Sequence, residues 1–209
     1  MKRNDKYMTV GLTGGSGTGK SSAARLFAKK NFIVIDFDKL SRKVCEKGSA
    51  CLSELRAFFG DDIIADDGSL IRKKLGEIVF SDSEKLGILN EITHKYILEE
   101  AERTMAKNRG KNILLDAPLL FEAELDKKCD FVVCVTAPSD KRAQRIEKRD
   151  KISAESAKKR IYSQKSDEYY TSRSDFDIRN DGDISQFEKR TYEIIGEIIK
   201  EKSETGQDK

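Results

Sequence analysis

Residues Gly14-Gly15-Ser16-Gly17-Thr18-Gly19-Lys20-Ser21 have the spacing G-x-x-x-x-G-K-S. An apolar run, Tyr7-Met8-Thr9-Val10-Gly11-Leu12, precedes them, and Ser22 to Lys30, rich in helix formers, follows. A loop of this kind works only between a buried strand and the N-terminus of a helix. Its glycines let successive backbone N–H groups turn inward around phosphate oxygens, and the helix directs the positive end of its dipole at them. Gly14, Gly15, Ser16, Gly17, Thr18 and Gly19 are then the phosphate cradle. Lys20 reaches the terminal phosphates, and the Ser21 hydroxyl is a ligand of the Mg2+ that accompanies the nucleotide. A chance glycine-rich turn would not set four glycines, a lysine and a serine in register between these two elements.

Further along, the largely β-branched run Phe32-Ile33-Val34-Ile35 predicts a second strand that stops at Asp36-Phe37-Asp38. In open α/β sheets the carboxyl ends of strands are the ligand-binding edge, so Asp36 and Asp38 are expected in the crevice of the phosphate loop. Asp38 equally suits the N-cap of a helix beginning near Lys39; Asp36 has no comparable structural duty. Residues 39–109 read as mostly helical, with turn signals at Lys47-Gly48-Ser49, Gly60-Asp61-Asp62 and Asp66-Asp67-Gly68. Leu86, Leu89, Ile92, Tyr96 and Leu98 predict one long amphipathic helix there. An insertion of this size exceeds an ordinary crossover and suits a wall for a second substrate. His94, on that helix without an evident carboxylate or cysteine partner, reads as a packing or hydrogen-bonding residue. Arg72 opens another helix, where a solvated basic face and an anion contact both remain open.

Asn112-Ile113-Leu114-Leu115 predicts the third strand and ends at Asp116, where a carboxylate could orient Mg2+ through its waters. Phe131-Val132-Val133-Cys134-Val135 is a fourth strand, apolar as a strand covered on both faces should be. From Lys141 to Arg173 the chain is densely basic, with Arg142, Arg145, Arg149, Lys158, Lys159, Arg160 and Lys165. Such a run is a solvated helix face or, beside a phosphate loop, a flap that closes over the nucleotide and expels water; the loop favours the flap. Phe176-Asp177-Ile178 is a short fifth strand, and Ile184, Phe187, Ile194, Ile195, Ile198 and Ile199 predict a last helix packed on the sheet.

The order implies a three-layer α/β domain around a parallel sheet of about five strands. The expected organisation is one domain over residues 1–209: a core at 1–44, 110–140 and 174–209, a helical acceptor-binding insertion at 45–109, and a basic helical lid at 141–173. With 40 basic and 37 acidic residues the formal net charge is only +3, which argues against a general nucleic-acid binder. Four cysteines without a C-x-x-C pair and a single histidine argue against structural zinc and for bystander thiols in a reducing cytosol. No apolar run is long enough to span a bilayer, so a cytoplasmic protein without membrane contact is expected, as a monomer or small homo-oligomer.

Several of these stretches together resemble the dephospho-CoA kinase family, in order from Met8 to Gly182. They are Gly11-Leu12-Thr13-Gly14-Gly15 leading into the phosphate loop, Val34-Ile35-Asp36-Phe37-Asp38, Asp116-Ala117-Pro118-Leu119-Leu120-Phe121-Glu122, Arg145-Ile146-Glu147-Lys148-Arg149-Asp150, Gln164, and Asp175-Phe176-Asp177-Ile178-Arg179-Asn180-Asp181-Gly182. Ser22 stands where the family usually has Thr, Ile71 where an acidic residue is common, Lys95 where Pro is usual, and Tyr170 where the lid is often basic. The resemblance implies the P-loop kinase fold and transfer of the γ-phosphoryl group of ATP, with Mg2+, to the 3′-hydroxyl of dephospho-CoA. It implies Asp36 as the group that accepts the hydroxyl proton, and Arg145 and Arg149 as lid arginines. Ser22, Asn180 and Gly182 would lie at ATP, the last two near the adenine. Asp36, Asp38, Arg72 and His94 would serve the acceptor. Two rivals share parts of this pattern. Another small-molecule P-loop kinase, acting on a nucleoside, nucleotide or shikimate-like alcohol, has the loop and the lid; a GTP-dependent switch needs an N-K-x-D-like segment that Thr136-Ala137-Pro138-Ser139-Asp140 does not supply.

Overall fold

The computed structural model of the protein describes residues 7–205. In chain order its elements are β1 (Thr9–Thr13), α1 (Lys20–Lys29), β2 (Ile33–Asp36), α2 (Phe37–Val44), α3 (Ala50–Phe59), α4 (Arg72–Val79), α5 (Ser83–Lys107), β3 (Ile113–Asp116), β4 (Phe131–Thr136), α6 (Ser139–Asp150), α7 (Ala154–Tyr162), α8 (Asp167–Thr171), β5 (Phe176–Arg179) and α9 (Ile184–Thr205). They fall into two compact units, one built from residues up to Ile35 and from Asn108 onward, the other from Asp36–Lys107.

The first unit is organised by a five-stranded parallel sheet in the order β2-β3-β1-β4-β5. β1 is buried along its whole length and β4 at all but its first residue, because helices cover both faces of a parallel sheet. That explains why these segments read as apolar runs and not as alternations. In register, Gly11 lies opposite Leu115 and Val132, and a Cβ on it would stand 2.8 Å from Leu120 Cδ2, so a larger residue would require that side chain to shift. Val10, Leu12, Leu114, Val133, Val135 and Ile178 from the strands close one core with Phe27 of α1 and Ile194, Ile195 and Ile198 of α9. Complete burial of a side chain such as Phe27 contributes about 1.5–3 kcal/mol.

One expectation about helices shifts here. α9 does not bury all six predicted residues: Phe187, Ile194, Ile195 and Ile198 face the core, whereas Ile184 is 79% exposed and Ile199 39%. The stripe is completed instead by Thr191, fully buried, with its hydroxyl donating to the carbonyl of Phe187 at 2.7 Å. The basic stretch breaks into α6, α7 and α8, and Ala143, Ile146, Ala157 and Ile161 join α6 to α7 through a small apolar seam.

The second unit is helical. α5 runs through the whole of the predicted amphipathic segment, but its fully inward positions are Ile92, Ile97 and Ala101. Ile92 and Ile97 pack with Val44, Leu55, Ile63, Leu75 and Val79 into a separate core. Ser49 caps α3 by accepting from Leu52 N at 3.1 Å. Among the described residues no helix is long and apolar enough to cross a membrane.

Candidate active site

The loop from Gly14 to Ser21 joins β1 to α1. Gly17 and Gly19 take φ values of 79° and 108°, a region that side chains with a Cβ rarely enter. A Cβ on Gly14 would stand 2.4 Å from the carbonyl oxygen of Val135. Gly19 is also the N-cap of α1 and, lacking a side chain, provides no cap to the helix. The N–H groups of Lys20 and Ser21 at the start of α1 are thereby left for an anion, with the dipole behind them, whereas Ser22 N–H donates to Gly19 O at 2.8 Å. Thr18 is buried and donates from its hydroxyl to Gly15 O at 2.9 Å, which tightens the loop on itself.

Lys20 pairs with Asp116, and both side chains are nearly buried. Asp116 ends β3, in register with Leu12 of β1, so the sheet itself delivers its carboxylate to the loop. Removing one partner of a buried pair leaves an uncompensated charge, which makes this contact structural as well as chemical. Ser21 is exposed in the first turn of α1, with Ser22 beside it accepting from Arg25 Nη2 at 2.8 Å. A serine hydroxyl and a carboxylate are hard oxygen donors, the kind a divalent metal accompanying phosphates takes.

The basic segment meets the loop through its backbone. Arg145 Nη1 donates to the carbonyls of Gly17 at 3.1 Å and Thr18 at 3.3 Å, and its Nη2 to Asn180 O at 3.3 Å and Oδ1 at 3.1 Å. Asn180, buried just beyond β5, donates from Nδ2 to Thr18 O at 2.7 Å. Arg145 and Asn180 thus hold the loop from behind. Gly182 is exposed in the turn that follows. Arg149 is exposed and paired with Asp150, which also pairs with Arg160; the two guanidiniums hold the Asp150 carboxyl down at about 2.

Two residues outside the sequence-derived site are engaged most closely. Arg142 lies one helical turn before Arg145, is 4% exposed, and donates from Nε to Ser16 O at 2.9 Å. Gln164 accepts from Ser16 N at 2.8 Å and donates to its hydroxyl at 3.0 Å. The i, i+3 spacing of Arg142 and Arg145 was the available signal, because it puts both side chains on one face of α6.

Among the acceptor candidates, the capping duty expected of Asp38 falls instead to Asp36. α2 begins at Phe37, and its N-cap is Asp36, whose Oδ1 accepts from Lys39 N at 2.9 Å. Asp38 is an exposed residue of the first helical turn. The cap falls on Asp36 because β2 passes directly into the helix without an intervening loop. Arg72 is exposed at the start of α4, its Nη2 3.4 Å from Arg42 O, and His94 is exposed on α5. The four thiols are free; burial pushes those of Cys51, Cys129 and Cys134 up to about 12 and raises Cys45 as well.

The family model for dephospho-CoA kinase matches residues 8–186. A dephospho-CoA kinase from Listeria innocua is 37% identical over 198 residues, covering 93% of this chain and 98% of that protein. One from Fusobacterium nucleatum is 39% identical over 183 residues, covering 88% and 94%. Among solved structures, a Thermus thermophilus protein superposes with a TM-score of 0.80 at 26% identity, covering 92% of this chain and 98% of the other. A dephospho-CoA kinase from Campylobacter jejuni gives 0.69 at 28%, covering 92% and 97%. Shikimate kinase from Bacteroides thetaiotaomicron, at 14% identity and a TM-score of 0.56 over 91% and 98% of the two chains, shares the fold.

Proposed function

The chain belongs to the dephospho-CoA kinase family, and from that premise we infer that it transfers the γ-phosphoryl group of ATP to the 3′-hydroxyl of dephospho-CoA, giving coenzyme A and ADP. The observation that carries the reading is the phosphate loop: a glycine cradle at the N-terminus of α1, with Lys20 set against Asp116 at the end of β3. In the reaction the hydroxyl oxygen bonds to the γ-phosphorus while the bond to the β–γ bridging oxygen breaks, and ADP leaves with that electron pair.

What the protein supplies is position and charge. The loop amides and Lys20 hold the phosphates, and Lys20 offsets negative charge on the transferred group. Ser21 and Asp116 would hold Mg2+, whose contribution when bound is to neutralise phosphate charge. Asp36 aligns the acceptor hydroxyl and takes its proton, a service of about 10²–10⁴ in rate for a general base. Arg145 and Arg149 complete the positive surround on the lid side, Ser22, Asn180 and Gly182 serve the nucleotide, and Asp38, Arg72 and His94 serve the acceptor. The helical insertion at 45–109 then carries the acceptor side of the reaction. The reading extends to a cytoplasmic enzyme, monomeric or a small homo-oligomer, acting on ATP and dephospho-CoA without nucleic acid.

Purified protein with Mg-ATP should release ADP only when dephospho-CoA is added, with an equal amount of coenzyme A by mass spectrometry. ADP without coenzyme A, or phosphorylation of adenosine, nucleotides or shikimate in its place, would overturn the assignment and leave only a P-loop kinase scaffold.

A further inference from the structure

Ser16, third residue of the phosphate loop, is held at each of its polar groups. Its N–H donates to Gln164 Oε1 at 2.8 Å, its hydroxyl accepts from Gln164 Nε2 at 3.0 Å, and its carbonyl accepts from Arg142 Nε at 2.9 Å. The guanidinium is itself tied on its remaining arms: Nη2 donates to Gln164 Oε1 at 3.1 Å and Nη1 to Asp167 Oδ1 at 3.1 Å. A Cβ on Gly15 would stand 2.3 Å from Arg142 Nη2 and 3.2 Å from Gln164 Oε1, so the pair lies directly against the loop. Arg142 comes from α6, Gln164 from the turn between α7 and α8, and Asp167 from the start of α8. Two basic-segment helices, the turn that joins α7 to α8, and the loop therefore share one hydrogen-bonded cluster, with the side chain of Arg142 only 5% exposed at its centre.

We propose that Gln164 is a positioning residue for phosphoryl transfer, bracing Ser16 together with Arg142 so that the loop is arranged for the phosphates before ATP arrives. This rests on the reading of the loop as the ATP site. A glycine-rich segment has the most backbone freedom to lose on ordering. A brace that removes this freedom in advance lowers the entropy cost of binding. Its effect belongs to ground state and transition state alike, so it appears in the KM for ATP more than in kcat. ATP affinity thereby becomes dependent on α7 and α8, which supply no group to the transferred phosphoryl.

Gln164→Met keeps the side-chain length and removes its polar atoms; Ser16→Ala removes only the hydroxyl. Binding of a non-hydrolysable Mg-ATP analogue, without acceptor, is measured by calorimetry for each variant and for the pair, alongside KM for both substrates. Gln164→Met is expected to weaken analogue binding and raise the ATP KM about tenfold, equivalent to roughly 1.4 kcal/mol. KM for dephospho-CoA should stay within about twofold of wild type, and Ser16→Ala should add little in the Gln164→Met background, as coupled partners require. Unaltered analogue affinity in folded Gln164→Met, equal rises in both KM values, or fully additive effects would overturn the proposal. Should Gln164→Met fail to fold, Ser16→Ala alone decides: binding weakened about threefold supports the brace, and unaltered binding removes it. Wild-type protein that binds the analogue yet leaves dephospho-CoA unphosphorylated would defeat the functional reading while this test still reads the brace.

Discussion

Asp36 has one observed duty and one proposed duty, and different substitutions separate them. As N-cap of α2 it accepts from Lys39 N, and as the proposed base it needs a carboxylate. Asparagine caps a helix about as well as aspartate, whereas alanine loses about 1 kcal/mol. Asp36→Asn is therefore expected to keep its melting temperature and ATP affinity while turnover falls by about 10²–10⁴. Asp36→Ala should lose the same activity and melt lower as well. Parallel thermal melts, nucleotide titrations and coupled assays check both, and near-normal turnover in folded Asp36→Asn would remove the proposed role. At this scale Lys20, Ser21 and the glycines were legible, because their chemistry is local and their spacing is short. Arg142 was not. In sequence it is one basic residue among many, and only the approach of α6 to the loop makes it a buried anchor.

Among the elements, α6 and α7 are joined by the apolar seam at Ile146 and Ile161 and, at the end of α6, by Asp150 between Arg149 and Arg160. These guanidiniums depress the Asp150 carboxyl from an ordinary 3.8 to about 2. A depressed carboxylate contributes stability that is present above its unfolded value and is lost as pH falls through its folded one. Asp150→Asn should accordingly melt below wild type at pH 6, with the difference shrinking as pH drops from about 4 toward about 2; melts across that range test it, and a gap that does not change with pH would count against the pairing. High salt should narrow the gap too, since these side chains are partly solvated. Element types were readable from periodicity, but the faces were not always. Ile184 and Ile199 have the spacing of the α9 stripe and still face solvent, since the helix's rotation is set by the sheet beneath it.

For the molecule as a whole, the thiols report on the integrity of both cores. Cys51 lies in the helical unit and Cys129 and Cys134 in the sheet unit, each raised to about 12 chiefly by burial. A thiol raised in the folded state favours folding fully below the unfolded value near 9.0 and loses that contribution as pH rises toward about 12. Native protein should therefore react slowly with a disulfide reagent at pH 8, titrate all four thiols in denaturant, and lose stability progressively above pH 9. Fast native reaction of Cys51 or Cys134 would show that their cores open readily. Sequence by itself determined the phosphate loop, the strand positions, the carboxylates that end β2 and β3, and the parallel α/β class, because each depends on neighbours within a few residues. Only tertiary structure decided the strand order β2-β3-β1-β4-β5, the pairing of Lys20 with Asp116, and the hold of Arg142, Arg145, Gln164 and Asn180 on the loop. Those contacts join residues 96 to 162 positions apart. A pattern read along the chain carries no distance between such partners until burial and sheet register bring them together.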